Sequence, residues 1–203
     1  MTAGEATSAR TPQGERTRAM RQRLMEATVD SLVEFGWAGT TTTVVSRRAG
    51  VSRGAQLHHF PSKQDLVLAA VDYITERRRT ELEAGIADLP EEGRTRAVLE
   101  VLSSQFTSPV FFAALELWVA ARTDAALREQ VGDLERRIGR ETHAQAVELL
   151  DIDESRGRNR QLVQATLDLV RGLGLAATLS DDSTRRAAIL DAWATTLDHE
   201  LER

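Results

Sequence analysis

Between Thr41 and Lys63 the sequence reads TTTVVSRRAGVSRGAQLHHFPSK, a stretch that packs hydrogen-bonding and cationic side chains closely together. Arg53, Gln56, His58 and His59 are types suited to nucleic-acid contact. Arginine pairs with guanine or a phosphate, glutamine makes two bonds to adenine, and histidine meets a phosphate or a purine N7. Gly54 and Ala55 are small enough for the backbone to come close to a phosphate. This is the chemistry of recognition and not of bond-making. His58 and His59 are neighbours, so on a helix they point about 100° apart, unlike paired metal ligands at i and i+4.

The elements that must position these groups are written in the same stretch. Thr41 is the expected N-cap of a short helix that buries Val45 and Ala49 and ends at Ala49. Gly50 follows where a tight turn between helices needs positive φ, and Val51 plugs the angle between them. Ser52 caps a second short helix, Arg53 to His59, which Pro61 ends by forcing Phe60 out of the helical region. Ser62-Lys63-Gln64-Asp65 is a capping box that restarts a long helix, bringing Lys63 beside a positive helix N-terminus, a ready phosphate clamp. The result is a helix-turn-helix whose second helix fits a major groove.

Around this segment the chain reads as all-α. Residues 1–16, rich in Thr, Ala, Ser and Gly, are expected to form a flexible arm in which Arg10 and Arg16 can brush a phosphate backbone, as can Arg18 just beyond it. From Thr17 the spacing of Met20, Leu24, Ala27, Leu32 and Phe35 predicts a first helix stopped by Gly36, giving a three-helix domain over 17–62. Residues 63–203 keep helical apolar spacing, with breaks at Leu89 to Gly93, Ser108-Pro109, Asp151 to Gly157 and Ser180 to Ser183. About six helices are expected there, the first running from about Ser62 to about Arg79.

Bulk properties agree with a binder. The 203 residues carry a net charge of −5, yet Met1 to Lys63 holds nine Lys and Arg against five Asp and Glu, and the remainder 17 against 26. The basic end is the candidate DNA face. There is no cysteine, and no apolar run of membrane-spanning length or signal peptide; a cytoplasmic protein with no membrane partner is expected. No Walker, Rossmann or Gly-x-Ser-x-Gly motif is present, and His143 and His199 stand alone, so the expectation is a non-enzyme without metal or cofactor.

Residues 17–75 resemble the DNA-binding domain of TetR-family regulators, through Phe35-Gly36, the Thr40–Thr43 cluster, Ala49-Gly50-Val51-Ser52, Gly54, His59-Phe60, and Lys63 followed by Leu66. The resemblance implies phosphate contacts from Thr41 and Lys63, and places Arg53, Gly54, Leu57, His58 and His59 at the operator. With Ser52 and Gln56 these complete the expected DNA-binding set. Many members carry Tyr where this chain has Leu57, which can meet a thymine methyl or pack. An acidic residue often stands where Val44 is.

The resemblance also implies a helical ligand-binding and dimerisation domain over 63–203. Three of the five phenylalanines, Phe106, Phe111 and Phe112, cluster with Leu115 and Trp118; they line a pocket for a small apolar or aromatic effector, or simply form core. Gln105, Glu116, Arg122 and His143 are polar candidates for orienting such a ligand. Leu162, Leu169, Gly172, Leu173 and Ala176, with Ile189, Trp193 and Leu197, mark the two last helices as the dimer interface implied by the family. The reading is a ligand-responsive homodimeric repressor on a pseudo-palindromic operator. The alternatives are a helical adaptor without DNA binding, or a TetR-like activator.

Overall fold

The computed structural model describes residues 13–85 and 89–202, which form nine helices and no strand. In chain order they are α1 (Gln13–Gly39), α2 (Thr42–Ala49), α3 (Arg53–His59), α4 (Lys63–Gly85) and α5 (Arg94–Phe106), then α6 (Pro109–Ala121), α7 (Ala125–Leu150), α8 (Asn159–Ala176) and α9 (Ser183–Glu200). The all-α expectation holds. No single helix among the described residues is long and apolar enough to cross a membrane.

Three boundaries differ from the sequence expectation. α1 begins at Gln13, so Gln13 to Arg16 belong to a helix and not to the arm; Thr17 Oγ1 donates to the Gln13 carbonyl at 3.0 Å. A solvent-facing first turn needs no apolar residue, which is why composition concealed it. Residues 1–12, with Arg10, lie outside the described residues. At Gly36 (φ 63°, ψ −174°) α1 kinks and then makes one further turn to Gly39. α4 runs past Arg79 to Gly85. An unexpected break separates α6 from α7, where the Asp124 carboxylate accepts from the Leu127 N–H at 3.0 Å and starts a new helix; aspartate is a strong N-cap.

Two apolar cores organise the molecule. In the first, Leu24, Val29 and Leu32 of α1, Val45 and Ala49 of α2, and Leu66, Val67 and Val71 of α4 meet Val110, Ala113 and Leu117 of α6 and Val131 of α7. The second joins α5 and α6 to α7, α8 and α9 through Leu99, Leu102, Phe111, Leu149, Val163, Leu167 and Leu190. Helices on both sides of the 62/63 division thus pack as one body, with α6 and α7 common to both cores. Burying one side chain of this size contributes about 1.5–3 kcal/mol, so each core far outweighs any surface ion pair.

Candidate nucleic-acid interface and effector cavity

The helix-turn-helix is built by caps. Thr41 Oγ1 accepts from Val44 N–H at 3.2 Å to start α2, and Gly50 (φ 63°) ends it in the left-handed region. Ser52 Oγ accepts from Ala55 N–H at 3.2 Å to start α3, and Phe60 leaves the helical region at φ −140°. Before α4, Ser62 N–H donates to Asp65 Oδ2 at 3.1 Å while Asp65 N–H donates to Ser62 Oγ at 3.0 Å, a closed capping box.

On α3 the rows Arg53/Leu57 and Gly54/His58, each at i and i+4, face outward and are exposed, as is the cap Ser52. Leu57 stands 39 % exposed. His59 is half-buried and its ring lies 5.2 Å from that of His58. Burial, then the charges of His58 and Arg21, hold its pKa below the ordinary histidine value, which favours a neutral ring. Gln56 corrects the sequence reading: it is wholly buried, and neither its amide nitrogen nor its oxygen has a partner. It stands four residues before buried Phe60 and shares that inward face, so it reads no base.

Lys63 folds back from the start of α4. Its ammonium donates to the Trp37 carbonyl and lies 3.9 Å from the centre of the Trp37 ring. Burial there lowers its pKa from the usual lysine value. The Trp37 N–H is held from the other side by Glu116 Oε2 of α6, at 2.7 Å.

Behind this face lies a cavity of about 110 Å³ between α4, α5, α6, α7 and α8. Its apolar wall includes Val71, Phe106, Phe111, Ala114, Leu117, Trp118, Val131, Leu134 and Ile138, and its polar groups include Thr75, Arg79, Gln105, Glu135, Gln145 and Arg171. Phe111 stands between Phe106 and Trp118, with ring centres 5.4 and 5.9 Å away in edge-to-face geometry. Gln105 donates to Gln145 Oε1 at 3.1 Å, leaving the buried Gln145 amide nitrogen without a partner. Burial pushes the Glu135 carboxyl above the usual range, against the lowering pull of Arg171 and a hydrogen bond from Trp118.

The sequence profile described as "Bacterial regulatory proteins, tetR family" matches residues 24–70, which span the helix-turn-helix just described. The chain is 34 % identical over 181 residues to the HTH-type transcriptional regulator CymR of Pseudomonas putida, covering 87 % of this chain and 88 % of that one. It belongs to the TetR family of bacterial regulatory proteins. It is also 27 % identical to the HTH-type transcriptional regulator BetI of Cronobacter sakazakii, over 79 % of this chain and 80 % of BetI. Among solved structures, a TetR-family transcriptional regulator from Rhodococcus sp. superposes with a TM-score of 0.64 at 25 % identity, covering 91 % of this chain and all of that one. This chain is therefore a DNA-binding transcriptional regulator and not an enzyme.

Within this TetR-family chain, four of the nine expected pocket residues line the cavity: Gln105, Phe106, Phe111 and Trp118. The other five do not; Glu116 instead holds the Trp37 N–H. Phe112, one residue beyond Phe111, turns about 100° away and packs into the second core. Leu115 is not among the lining residues, and Arg122 is exposed at the end of α6. His143 does not line the cavity; it pairs at 2.7 Å with Glu154 in an adjoining groove that also holds Arg140 and Arg160. Glu135, Gln145 and Arg171 were missed, although the spacing of Val131, Leu134 and Ile138 marks an inward face on which Glu135 sits at the edge.

Of the expected interface residues, Leu173 and Leu197 are core residues, 4 % and 0 % exposed, packed between α8, α9 and their neighbours. Leu162, Leu169, Ile189 and Trp193 are half-buried, and Trp193 Nε1 donates to Thr166 Oγ1 at 2.9 Å to tie α9 to α8. Gly172 and Ala176 are exposed. With Leu175 at 53 % exposure they form an outward apolar patch on α8 at i, i+3 and i+4, and Leu179, 94 % exposed, follows in the turn beyond the helix.

Proposed function

We infer that this regulator is a homodimeric repressor that binds a pseudo-palindromic operator and releases it when a small apolar or aromatic molecule fills the cavity. The observation that carries this reading is the path of α4. Its N-terminus, with the capping box and Lys63, abuts the DNA-facing module, and Val71, Thr75 and Arg79 further along it line the cavity. The distance from Lys63 to Arg79 is about 24 Å of continuous helix. A ligand that displaces the cavity end of so stiff a rod moves the DNA end with it.

At the operator, Arg53, Gly54, Leu57 and His58 face the major groove, and Thr41, Ser52 and Lys63 lie toward the backbone on either side. His59 reaches only the margin of that face. One module makes few contacts, so two related by a two-fold axis are needed to read successive major grooves. The exposed patch of α8 supports such pairing. Ligand must favour the released state by about 5 kcal/mol to carry the equilibrium from nearly all bound to nearly all free.

Selection of binding sites from random duplex DNA, followed by titration of the winning site at two salt concentrations, tests this reading. The expected result is a two-fold symmetric consensus bound with steep salt dependence and released by a small molecule that occupies the cavity. An asymmetric consensus, or a symmetric one from which no cavity-binding molecule releases the protein, would overturn the dimeric or the ligand-responsive half respectively.

A further inference from the structure

Lys63 is the sole lysine among 26 basic Lys and Arg residues, and its ammonium is held by a residue that a sensor helix also holds. Trp37 gives its carbonyl and ring face to Lys63 and its N–H to Glu116 Oε2 of α6. At the peptide presented to Glu116, Gly36 adopts φ 63°, and a Cβ there would lie 2.9 Å from Glu116 Oε2. Directly beyond Glu116, Leu117 and Trp118 line the cavity. One helix therefore touches the cavity on one face and the anchor of the phosphate-facing lysine on another.

The geometry points to Glu116 as a positioning residue for DNA binding, which fixes Trp37 so that Trp37 holds Lys63 at the phosphate position. Cavity occupancy then reaches the DNA face by a second route, through α6, alongside α4. A lysine side chain has four rotatable bonds and is costly to immobilise; one bond to the Trp37 carbonyl leaves two donor hydrogens for a phosphate. Glu116 fixes the Gly36–Trp37 peptide, and so the residue whose ring, and whose carbonyl in the next peptide, meet Lys63. The inference rests on the reading of Lys63 as a phosphate contact.

The test uses the full chain. Because there is a single lysine, labelling with ¹³Cε-lysine gives one side-chain resonance, which reports the Trp37 ring current and the titration of the amine. In Glu116→Ala, that resonance is expected to lose its ring-current shift and its pKa to rise toward the ordinary lysine value. Affinity for all duplexes should fall roughly three- to tenfold, the cost of ordering one long side chain, with an unchanged salt slope. Glu116→Gln keeps an acceptor oxygen and should retain most of both properties. In a Lys63→Ala background, which itself lowers the salt slope by about one, Glu116→Ala should cost nothing further.

The inference is overturned if the Lys63 resonance and titration are the same in Glu116→Ala as in the parent. It is equally overturned if the loss in DNA affinity adds in full to that of Lys63→Ala, as a general structural defect would. Should Lys63→Ala bind DNA with unchanged affinity and salt slope, the phosphate reading fails; the resonance still reports separately whether Glu116 sets the lysine.

Discussion

At the base of the recognition helix, Gln56 is a polar group in the wrong medium. Its amide is fully buried with neither atom partnered, while its backbone N–H and carbonyl are satisfied by Ser52 and Phe60. An unsatisfied buried amide costs about 1–3 kcal/mol. Methionine is close in volume and removes that cost, so Gln56→Met should raise unfolding free energy by about 1–2 kcal/mol, read as a higher urea midpoint with unchanged slope. Since Gln56 faces away from the groove, base preference at the selected operator should stay as it is. A lower midpoint would show that the amide has a partner the fold does supply.

At the scale of elements, close approach decides what a glycine is for. On α8 a Cβ at Gly174 would meet the Phe106 carbonyl oxygen at 2.2 Å, a backbone atom that cannot swing aside. Gly174→Ala must push α8 from the end of α5. The expected cost is about 1–3 kcal/mol for overpacking, beyond the ~1 kcal/mol that alanine gains in a helix. Gly139 on α7 is the control, because a Cβ there meets nothing within 4 Å, so Gly139→Ala should stabilise by about 0.5–1 kcal/mol. Thermal unfolding of the two variants checks the pair, and two shifts of the same sign would refute the close approach as the cause.

The same scale explains what the sequence disclosed. Caps and turns are local chemistry, so Thr41, Gly50, Ser52 and Pro61 placed α2 and α3 to the residue, and the Ser62/Asp65 box placed the start of α4 within one. Facing is not local. α3 has seven residues, too few for an apolar period, and Gln56 looked like an outward polar group until Phe60 four residues on fixed the inner face. The cavity was half legible for a related reason. An aromatic cluster shows in composition, but whether Phe112 or Trp118 faces the void depends on where α7 and α8 pack. Glu135 and Arg171 come from those helices, more than sixteen residues away in sequence from the aromatics.

For the whole molecule, the decisive question is how two DNA-reading modules are held one helical turn apart. The patch Gly172, Leu175 and Ala176 on α8, with Leu179 in the turn that follows, offers apolar surface that a monomer leaves in water, and its two small residues let a second helix come close. Two such helices from each protomer can bury about 800 Å² per partner, the size of a stable interface. Leu175 is half exposed and outside both cores, so Leu175→Arg should fold normally while placing two like charges across the two-fold axis. Sedimentation equilibrium should then report a monomer. Operator affinity should fall by more than about 100-fold, because a monomer reads one half-site, and the salt slope should drop to about half as the phosphate contacts are halved. A variant that stays dimeric with the parental slope would move the interface elsewhere, to the exposed face of α9. A monomer with full affinity would mean that one helix-turn-helix suffices, and that the two-fold operator is not what this protein reads.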